Sequence, residues 1–257
     1  MKKGISLMLA AVFCVAAISG CSKKEEKKLI VGLDDTFAPM GFRDEKNNLV
    51  GFDIDLANAV GKQMGVAIQF QPIDWDSKEM ELEAKKIDCI WNGMSRTPAR
   101  EESMTLSQNY LNNKIIIMTS PDVTITSKED LAKYNIGTQA KSAALEVIQA
   151  DAVYASIKDK LAEYPTYDEV ILDMQAGRIQ VMIVDEVLGQ YKNNNLATKF
   201  NVSEVDFGED FYVIGFRKDD TELCKEVEAA LKVLCENGKA AEISQKWFGA
   251  DLILDIQ

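Results

Sequence analysis

Residues 87–100, with the sequence IDCIWNGMSRTPAR, constrain the fold more than any other stretch of this chain. The first half is a short apolar run that is typical of a buried β-strand. The second half is polar, contains Gly93 and leads into Pro98, so it predicts that the strand leaves the sheet at Asn92–Gly93 and that a loop begins there. Open α/β sheets bind their ligands at such strand ends. The stretch therefore predicts a binding loop that follows a buried strand.

The side chains of this loop fit a carboxylate ligand. Only five of the 29 basic residues are arginines, yet Arg96 and Arg100 both lie here. A guanidinium group offers a planar, bidentate fork that a lysine lacks. Gly93 lets a ligand approach the backbone, and Ser95 adds a hydroxyl group. We predict a carboxylate-binding loop, and the alternative is a surface turn with two solvated arginines.

The composition of the chain disfavours several classes of function. Its 257 residues are enough for two lobes of ordinary domain size. The net charge of -12 argues against nucleic acid as a partner, because phosphate contacts need basic patches. There is no histidine, which removes Ser-His-Asp and Cys-His catalysis and the commonest metal ligand. We therefore expect neither catalytic residues nor a metal or cofactor.

The N-terminus has the pattern of an export signal followed by a tether. A basic start precedes an apolar run that is shorter than the roughly 20 residues of a membrane span, which predicts a signal peptide over residues 1–20. The ending ISGC at residues 18–21 resembles a bacterial lipobox, in which the cysteine receives two acyl chains, enough for stable anchoring. Residues 21–28 are then a lipidated, charged tether. The alternative is ordinary signal cleavage, with Cys21 a chance residue.

After the tether, strand and helix patterns alternate in two successive units. The first unit has predicted strands at residues 29–33, 49–52, 66–71 and 87–92 and helices at 53–64 and 77–86. The second unit has predicted strands at 115–119, 135–138 and 181–184, a helix that begins at Ala143 and another helix at 167–177. After this unit, we predict a strand at 211–216 and helices at the C-terminal end. This alternation predicts an α/β fold in which two lobes each contain a mostly parallel sheet flanked by helices.

Several residues that could bind a ligand stand just past the predicted strand ends. They comprise an arginine, two carboxylates, two aromatic rings, hydroxyl groups and exposed backbone. A zwitterionic α-amino acid needs such groups: a fork for its carboxylate, an anion and oxygen acceptors for its ammonium group, and apolar walls. The N–H groups of the helix after Ser142 offer a second carboxylate cradle. The residues predicted in this way are Asp34, Phe37, Trp75, Gly93, Ser95, Arg100, Gln139, Ser142 and Asp185.

Four of these residues have a structural explanation as well. Phe37 and Trp75 could be core aromatics, although their position in predicted turns favours the walls of a ligand site. Asp185 could cap the helix that follows it, and Asp34 could bind its own turn. Composition and spacing therefore indicate a polar site between two lobes without excluding these roles.

Six stretches of the chain resemble the polar amino-acid substrate-binding proteins of bacterial ABC importers, also known as solute-binding protein family 3. They are VGLDDTFAPMGF (31–42), LVGFDIDLANAVGKQMG (49–65), FQPIDWDSKEMEL (70–82), IDCIWNGMSRTPAR (87–100), IVDEVLG (183–189) and QKWFG (245–249). The similarity covers nearly the whole chain after the tether, and the chain looks like a lipoprotein member of this family.

The resemblance implies a periplasmic-binding-protein-like fold of type II, with two lobes joined by two crossover hinge segments. Lobe one is expected at residues 29–109 and 213–257, and lobe two at 115–207. The hinges are expected near residues 110–114 and 208–212. Such lobes close on their ligand by hinge motion.

The resemblance also assigns roles to individual residues. Arg100 matches the arginine that binds the ligand carboxylate, and Asp185 matches the acid that binds its ammonium group. Gly93 and Ser95 match positions that offer a carbonyl and a hydroxyl group to the ligand ammonium group, and Phe37 and Trp75 match the aromatic walls. Asp34 matches an acid that can reach the ligand side chain. Ser142 and Ala143 match the helix start whose N–H groups donate to the ligand carboxylate. Arg96, Gln139 and Ala143 depart from the usual family pattern, which leaves the side-chain specificity open.

The prediction from the sequence is a monomeric lipoprotein on the extracytoplasmic face of the cell membrane, which captures an L-amino acid and delivers it to the permease of an ABC importer. Glutamine, cystine and arginine are the candidate ligands, because Asp34 and Asp185 favour a polar or cationic side chain. The alternative is an enzyme on the same fold, similar to cyclohexadienyl dehydratase, which needs a general acid over the pocket.

Overall fold

A computed structural model describes residues 27–257 of the chain. The predicted signal peptide, Cys21 and most of the predicted tether lie outside the described residues. The strands are β1 (Lys28–Leu33), β2 (Thr36–Phe37), β3 (Gly41–Arg43), β4 (Leu49–Val50), β5 (Ala67–Pro72), β6 (Cys89–Ser95), β7 (Met104–Leu106), β8 (Leu111–Thr119), β9 (Ile136–Gln139), β10 (Leu161–Tyr164), β11 (Val181–Asp185) and β12 (Asn201–Arg217). The helices are α1 (Phe52–Met64), α2 (Lys78–Glu83), α3 (Pro98–Ser103), α4 (Ala143–Ala150), α5 (Tyr154–Ile157), α6 (Tyr167–Gln175), α7 (Glu186–Asn195), α8 (Thr221–Glu236) and α9 (Lys239–Phe248).

One sheet runs through both lobes, in the strand order β10-β9-β11-β8-β12-β6-β1-β5, and β7 pairs with β12 beside this path. One lobe is built on the parallel strands β5, β1 and β6, and the other on the parallel strands β11, β9 and β10. The antiparallel strands β8 and β12 connect the two sets. The predicted two-lobed α/β class is therefore confirmed.

The strands β8 and β12 pair along the predicted hinges. Their register places Lys114 opposite Glu209, Asn113 opposite Asp210, and Leu111 opposite Tyr212. The two segments that we expected to cross between the lobes thus form one antiparallel ribbon. The exact lobe boundaries stay a prediction.

Helix α1 shows how the local sequence produces its element. Leu56, Ala57 and Val60 recur at helical spacing and are buried against the sheet. Gly65 ends the helix in a left-handed conformation with φ 68°, and its N–H donates to the carbonyl groups of Gly61 and Lys62. The predicted helix and its glycine C-cap are both confirmed.

Several predicted boundaries are wrong by three residues or more. The strand β6 continues past Asn92–Gly93 to Ser95, because Met94 and Ser95 still pair with Val213 and Tyr212 of β12. Strand β12 begins at Asn201, well before the predicted start, because its first half pairs with β8. The helix predicted at 77–86 is α2 and ends at Glu83. Among residues 27–257, no helix has the length and apolar character that a membrane span needs.

Candidate ligand-binding site

Nine of the predicted site residues line a single small cavity of about 10 Å³ between the two lobes. It lies at the carboxyl ends of the parallel strands β6, β9 and β11, where open α/β sheets bind ligands. Its lining consists of Phe37, Trp75, Gly93, Ser95, Arg100, Gln139, Ser142, Ala143 and Asp185. The tenth predicted residue, Asp34, lies next to this cavity and contacts Gln139. Residues as far apart in the sequence as Asp34 and Asp185 thus meet in one region.

Arg100 lies at one end of the cavity, with 2% of its surface exposed. The hydroxyl oxygen of Thr97 caps α3 by accepting a hydrogen bond from the Arg100 backbone N–H. One terminal guanidinium nitrogen donates to the Ser95 carbonyl at 2.8 Å, and the other to the Lys141 carbonyl at 3.3 Å. The buried Nε has no hydrogen-bond partner within residues 27–257. A buried donor of this kind is costly unless it is satisfied, so this end of the cavity suits an anion.

Lys78 is a second buried cation at this end, which the sequence reasoning missed. Its ammonium group donates to the carbonyl groups of Trp75 and Lys141 at 3.3 and 3.2 Å. Burial, together with the nearby Arg100, lowers the pKa of Lys78 to about 8. The position of Lys78 in an ordinary amphipathic helix gave no signal of this role. Glu79 lies 3.1 Å from the Lys78 ammonium group and Glu146 lies 3.5 Å from Arg100, so both cations are partly neutralised.

The start of α4 faces the same cavity. The Ser142 hydroxyl oxygen accepts from the Leu145 backbone N–H at 3.1 Å, so the predicted N-cap is confirmed. Ser142 and Ala143 line the cavity at this helix N-terminus, where backbone N–H groups favour negative charge.

Asp185 is the acid that lines the cavity, at the end of β11 and with 3% of its surface exposed. The alternative of a helix cap is not supported, since the Asp185 side chain makes no capping hydrogen bond to α7. Its Oδ1 instead accepts from Asn113 at 2.9 Å and from the Tyr212 hydroxyl at 3.1 Å. Burial, helped by the repulsion of Asp210, raises the pKa of the Asp185 carboxyl well above its usual range. A cation in the cavity would stabilise its ionised form.

Gly93 and Ser95 lie on β6 between these two ends. Gly93 has φ 55°, and a Cβ there would lie 3.0 Å from side-chain atoms of Met40 and Phe37, so only glycine fits. Its N–H donates to the fully buried Asp53 at 2.7 Å, and Asp53 also accepts from the Tyr110 hydroxyl group. Asp53, another residue that the sequence reasoning missed, thereby fixes the position of the Gly93 peptide.

The two aromatic residues serve both the cavity and the core. Phe37 packs in the main hydrophobic core and lies edge-on to Tyr167 of the opposite lobe, with 6.2 Å between ring centroids. Trp75 packs in a smaller cluster, with the Arg100 guanidinium 5.9 Å from its ring centroid. Both rings therefore pack in a core cluster and line the cavity, and their role as walls of a ligand site stays a prediction.

Asp34 joins the two lobes through Gln139. One carboxylate oxygen accepts from the backbone and hydroxyl of Thr36, which is the turn contact that the sequence allowed. The other accepts from the Gln139 side-chain amide at 2.8 Å. Asp34 and Trp75 also line a second, larger pocket, the acidic pocket, which contains the acids Asp34, Asp35, Asp74, Asp76 and Glu163.

Arg96 does not line the cavity. Its guanidinium group donates to the Asn109 side chain and to the Ser107 carbonyl, and it pairs with Glu101 at 2.7 Å. Its role is to hold the chain after β6 against the segment that leads into β8. Of the two arginines in the predicted loop, Arg100 alone lines the cavity.

The comparisons with known proteins agree with this geometry. The family model of the bacterial extracellular solute-binding proteins, family 3, matches residues 29–250. This chain therefore belongs to that family.

Three relatives illustrate the similarity. The arginine-binding extracellular protein ArtP of Bacillus subtilis is 29% identical, over 96% of this chain and 98% of ArtP. The L-cystine-binding protein TcyJ of Escherichia coli is 26% identical, over 95% of this chain and 96% of TcyJ. A substrate-binding protein of an ABC uptake transporter from Streptococcus pneumoniae, solved with bound histidine, has a TM-score of 0.82 and 36% identity, and covers 89% of this chain and 95% of its own.

Proposed function

We propose that this protein captures an L-amino acid with a cationic side chain between its two lobes. The observation that supports this most strongly is that Arg100 of one lobe and Asp185 of the other line the same small cavity. Arg100, with the N-terminus of α4, pairs with the ligand carboxylate, and Asp185 pairs with the ammonium group. Both ligand charges are then paired, as burial in a closed cleft requires.

The acidic pocket supports a cation on the ligand side chain. Trp75 lines both this pocket and the cavity, so a side chain that passes along the indole ring reaches Asp34. The Gln139 amide that now contacts Asp34 is neutral, and a guanidinium or ammonium group offers that carboxylate a stronger charge-assisted hydrogen bond. The names of ArtP and of the histidine-bound relative fit a basic ligand.

The cellular setting that we propose is a lipid-anchored receptor. Cys21 carries the acyl chains, the charged residues after it form the tether, and the folded part works as a monomer on the extracytoplasmic face of the membrane. The closed, liganded form delivers the amino acid to the permease of an ABC importer. The reaction contains no covalent step, so affinity and lobe closure form the whole mechanism.

A thermal-shift panel of L-amino acids tests the ligand class. Arginine, lysine and histidine are expected to raise the melting temperature more than glutamine, cystine or leucine. A ligand at about 100 times its dissociation constant stabilises the folded state by about 2.7 kcal/mol. Asp34→Asn should lower the affinity for the basic amino acids at least about tenfold, because the side-chain cation loses a charged partner. The matched variant Asp35→Asn should have a smaller effect, because Asp35 pairs with Arg43 at 2.7 Å.

Two outcomes would contradict the proposal. A panel without any stabilising amino acid would overturn the receptor function, and a preference for cystine or glutamine that Asp34→Asn leaves unchanged would overturn the cationic ligand. Release of product from prephenate or arogenate would instead support the enzyme on the same fold.

A further inference from the structure

A second carboxylate, Asp210, lies beside Asp185 at the ammonium end of the cavity. The side-chain nitrogen of Asn113 donates to Asp185 Oδ1 at 2.9 Å and to Asp210 Oδ2 at 2.7 Å. The Ser95 hydroxyl donates to the same Asp210 oxygen at 2.6 Å. A single neutral amide nitrogen therefore bridges the two carboxylates, and Asp210 directly contacts a residue that lines the cavity.

Both carboxylates are buried, with 3% of Asp185 and 8% of Asp210 exposed. Burial raises the pKa of both groups. The charged and titratable groups that face the pair are Arg100 from α3, Tyr167 from α6 and Tyr212 from β12 on the cavity side, and Lys114, Glu186 and Glu209 on the hinge side.

No cation among the described residues forms a hydrogen bond to either carboxylate. Arg100 donates to the Ser95 and Lys141 carbonyl groups and lies 3.5 Å from Glu146. Lys114 pairs with Asp206 at 3.6 Å. Two adjacent buried carboxylates without a paired cation repel each other strongly, so one of them retains a proton.

Asp210 does not line the cavity itself but the neighbouring hinge-side pocket. We propose that Asp210 is a positioning residue that acts on the ligand through Asp185, and that the two form a carboxylate pair that holds one proton until the ammonium group of the ligand takes the place of that proton. The inference rests on the proposed function, since it needs a ligand with an ammonium group at this end. One ligand enters, one proton leaves to the solvent, and only hydrogen bonds are exchanged.

The direction of the pH dependence follows from this exchange. The bound ammonium group stabilises the ionised pair, so binding releases a proton and affinity rises with pH through the raised pKa of the pair. Well below that pKa, affinity should fall by up to about tenfold for each pH unit. Well above it, the pair is already ionised and binding should release no proton.

The test is calorimetric titration of the mature protein with L-arginine, and in parallel with L-lysine, whose side chains stay charged at both pH values. The titrations use phosphate and Bis-Tris at about pH 6, and borate and Tris at about pH 8.5, so that both buffers of each pair take up protons at the working pH. The two buffers of each pair differ in ionisation enthalpy, so the difference between the binding enthalpies counts the protons released. We expect a release that approaches one proton per ligand at the lower pH and falls towards zero at the higher pH.

Two variants separate the pair from other acids. Asp210→Asn should still bind but should release almost no proton, and its affinity should depend little on pH. Glu209→Gln, which removes the same charge from an exposed neighbour on β12, should behave like the wild-type protein.

The outcomes distinguish the inference from the function on which it rests. Wild-type binding without proton release at the lower pH, or undiminished release by Asp210→Asn, would overturn the carboxylate pair and leave the proposed function standing. Absence of binding by the wild-type protein to every amino acid would overturn both.

Discussion

Arg100 shows at the scale of one residue how the fold prepares a binding group. Its two terminal nitrogens are oriented by the Ser95 and Lys141 carbonyl groups, while the buried Nε lacks a partner within the described chain. The contact with Ser95 lies within one lobe and orients the side chain independently of the other lobe, which reduces the ordering cost of binding. The unsatisfied donor costs stability, and a ligand carboxylate would offset that cost.

Arg100→Lys should therefore weaken binding far more than the retained positive charge suggests. A lysine keeps the charge but lacks the planar fork, so the carboxylate loses its bidentate contact. We expect a loss of about 1.5 to 3 kcal/mol, which is at least about tenfold in the dissociation constant. Isothermal titration calorimetry measures this change.

Arg96→Lys is the matched control in the same segment. Arg96 contacts Asn109, Glu101 and Ser107 outside the cavity, so its replacement should alter stability but leave ligand affinity within about twofold. If the Arg96 variant lost affinity and the Arg100 variant retained it, the assignment of the carboxylate-binding residue would be wrong.

Strand β6 shows how one element carries both core packing and the site. All seven of its residues are buried, and its pairing with β12 shifts register near Gly93. The left-handed conformation of Gly93 interrupts the regular strand and is held by the hydrogen bond to Asp53. The strand therefore places Gly93 and Ser95 in the cavity without leaving the sheet.

Gly93→Ala tests this arrangement. The substitution forces a left-handed conformation on alanine and brings its Cβ to 3.0 Å from side-chain atoms of Phe37 and Met40. We expect a loss of about 1 to 3 kcal/mol in the free energy of unfolding, together with weaker ligand binding. Urea denaturation and calorimetry measure the two effects.

Gly65→Ala supplies the comparison. Gly65 has a similar φ of 68°, but a Cβ at this position would have no neighbouring atom within 4 Å, and the residue is the C-cap of α1, away from the cavity. The variant should lose about 1 kcal/mol of stability and keep its affinity. Equal effects of both variants on affinity would show that Gly93 has no special part in the site.

Elements were predictable where one stretch of sequence carries its own pattern. The apolar spacing and terminal glycine of α1 identified the helix, and the run before Asn92 identified β6. The length of β12 was not predictable, because its first half is polar and Gly208 interrupts it. That half is a strand since it pairs with β8, a distant segment of the sequence.

At the scale of the whole molecule, the residues of the candidate site with a local sequence pattern were predictable, and those brought together by distant contacts were not. Arg100, Asp185 and Ser142 follow strand ends or begin helices, so local reasoning and the resemblance found them. No local sequence pattern of this kind identifies Asp210, Asn113 or Lys78. Asp210 and Asn113 meet through the register of β8 and β12, and Lys78 meets Lys141 across the two lobes.

Contacts between the lobes surround the cavity on several sides. The Lys141 carbonyl accepts from both Arg100 and Lys78, Gln139 donates to Asp34, and Phe42 lies 5.8 Å from Tyr191 between ring centroids. Arg100 and Asp185, the proposed partners of the ligand carboxylate and ammonium group, thus come from opposite lobes. The proposed function depends on one ligand that is held at both ends across this closed cleft.

The most direct test is calorimetric titration with a basic amino acid and with two derivatives that each lack one charged end. For arginine these are agmatine, which has no carboxylate, and Nα-acetyl-L-arginine, whose ammonium group is blocked. We predict that L-arginine binds and that each derivative binds at least about 100-fold more weakly, because one buried partner is left unpaired. Binding of agmatine or the acetylated derivative with the affinity of L-arginine would contradict the clamp formed by Arg100 and Asp185.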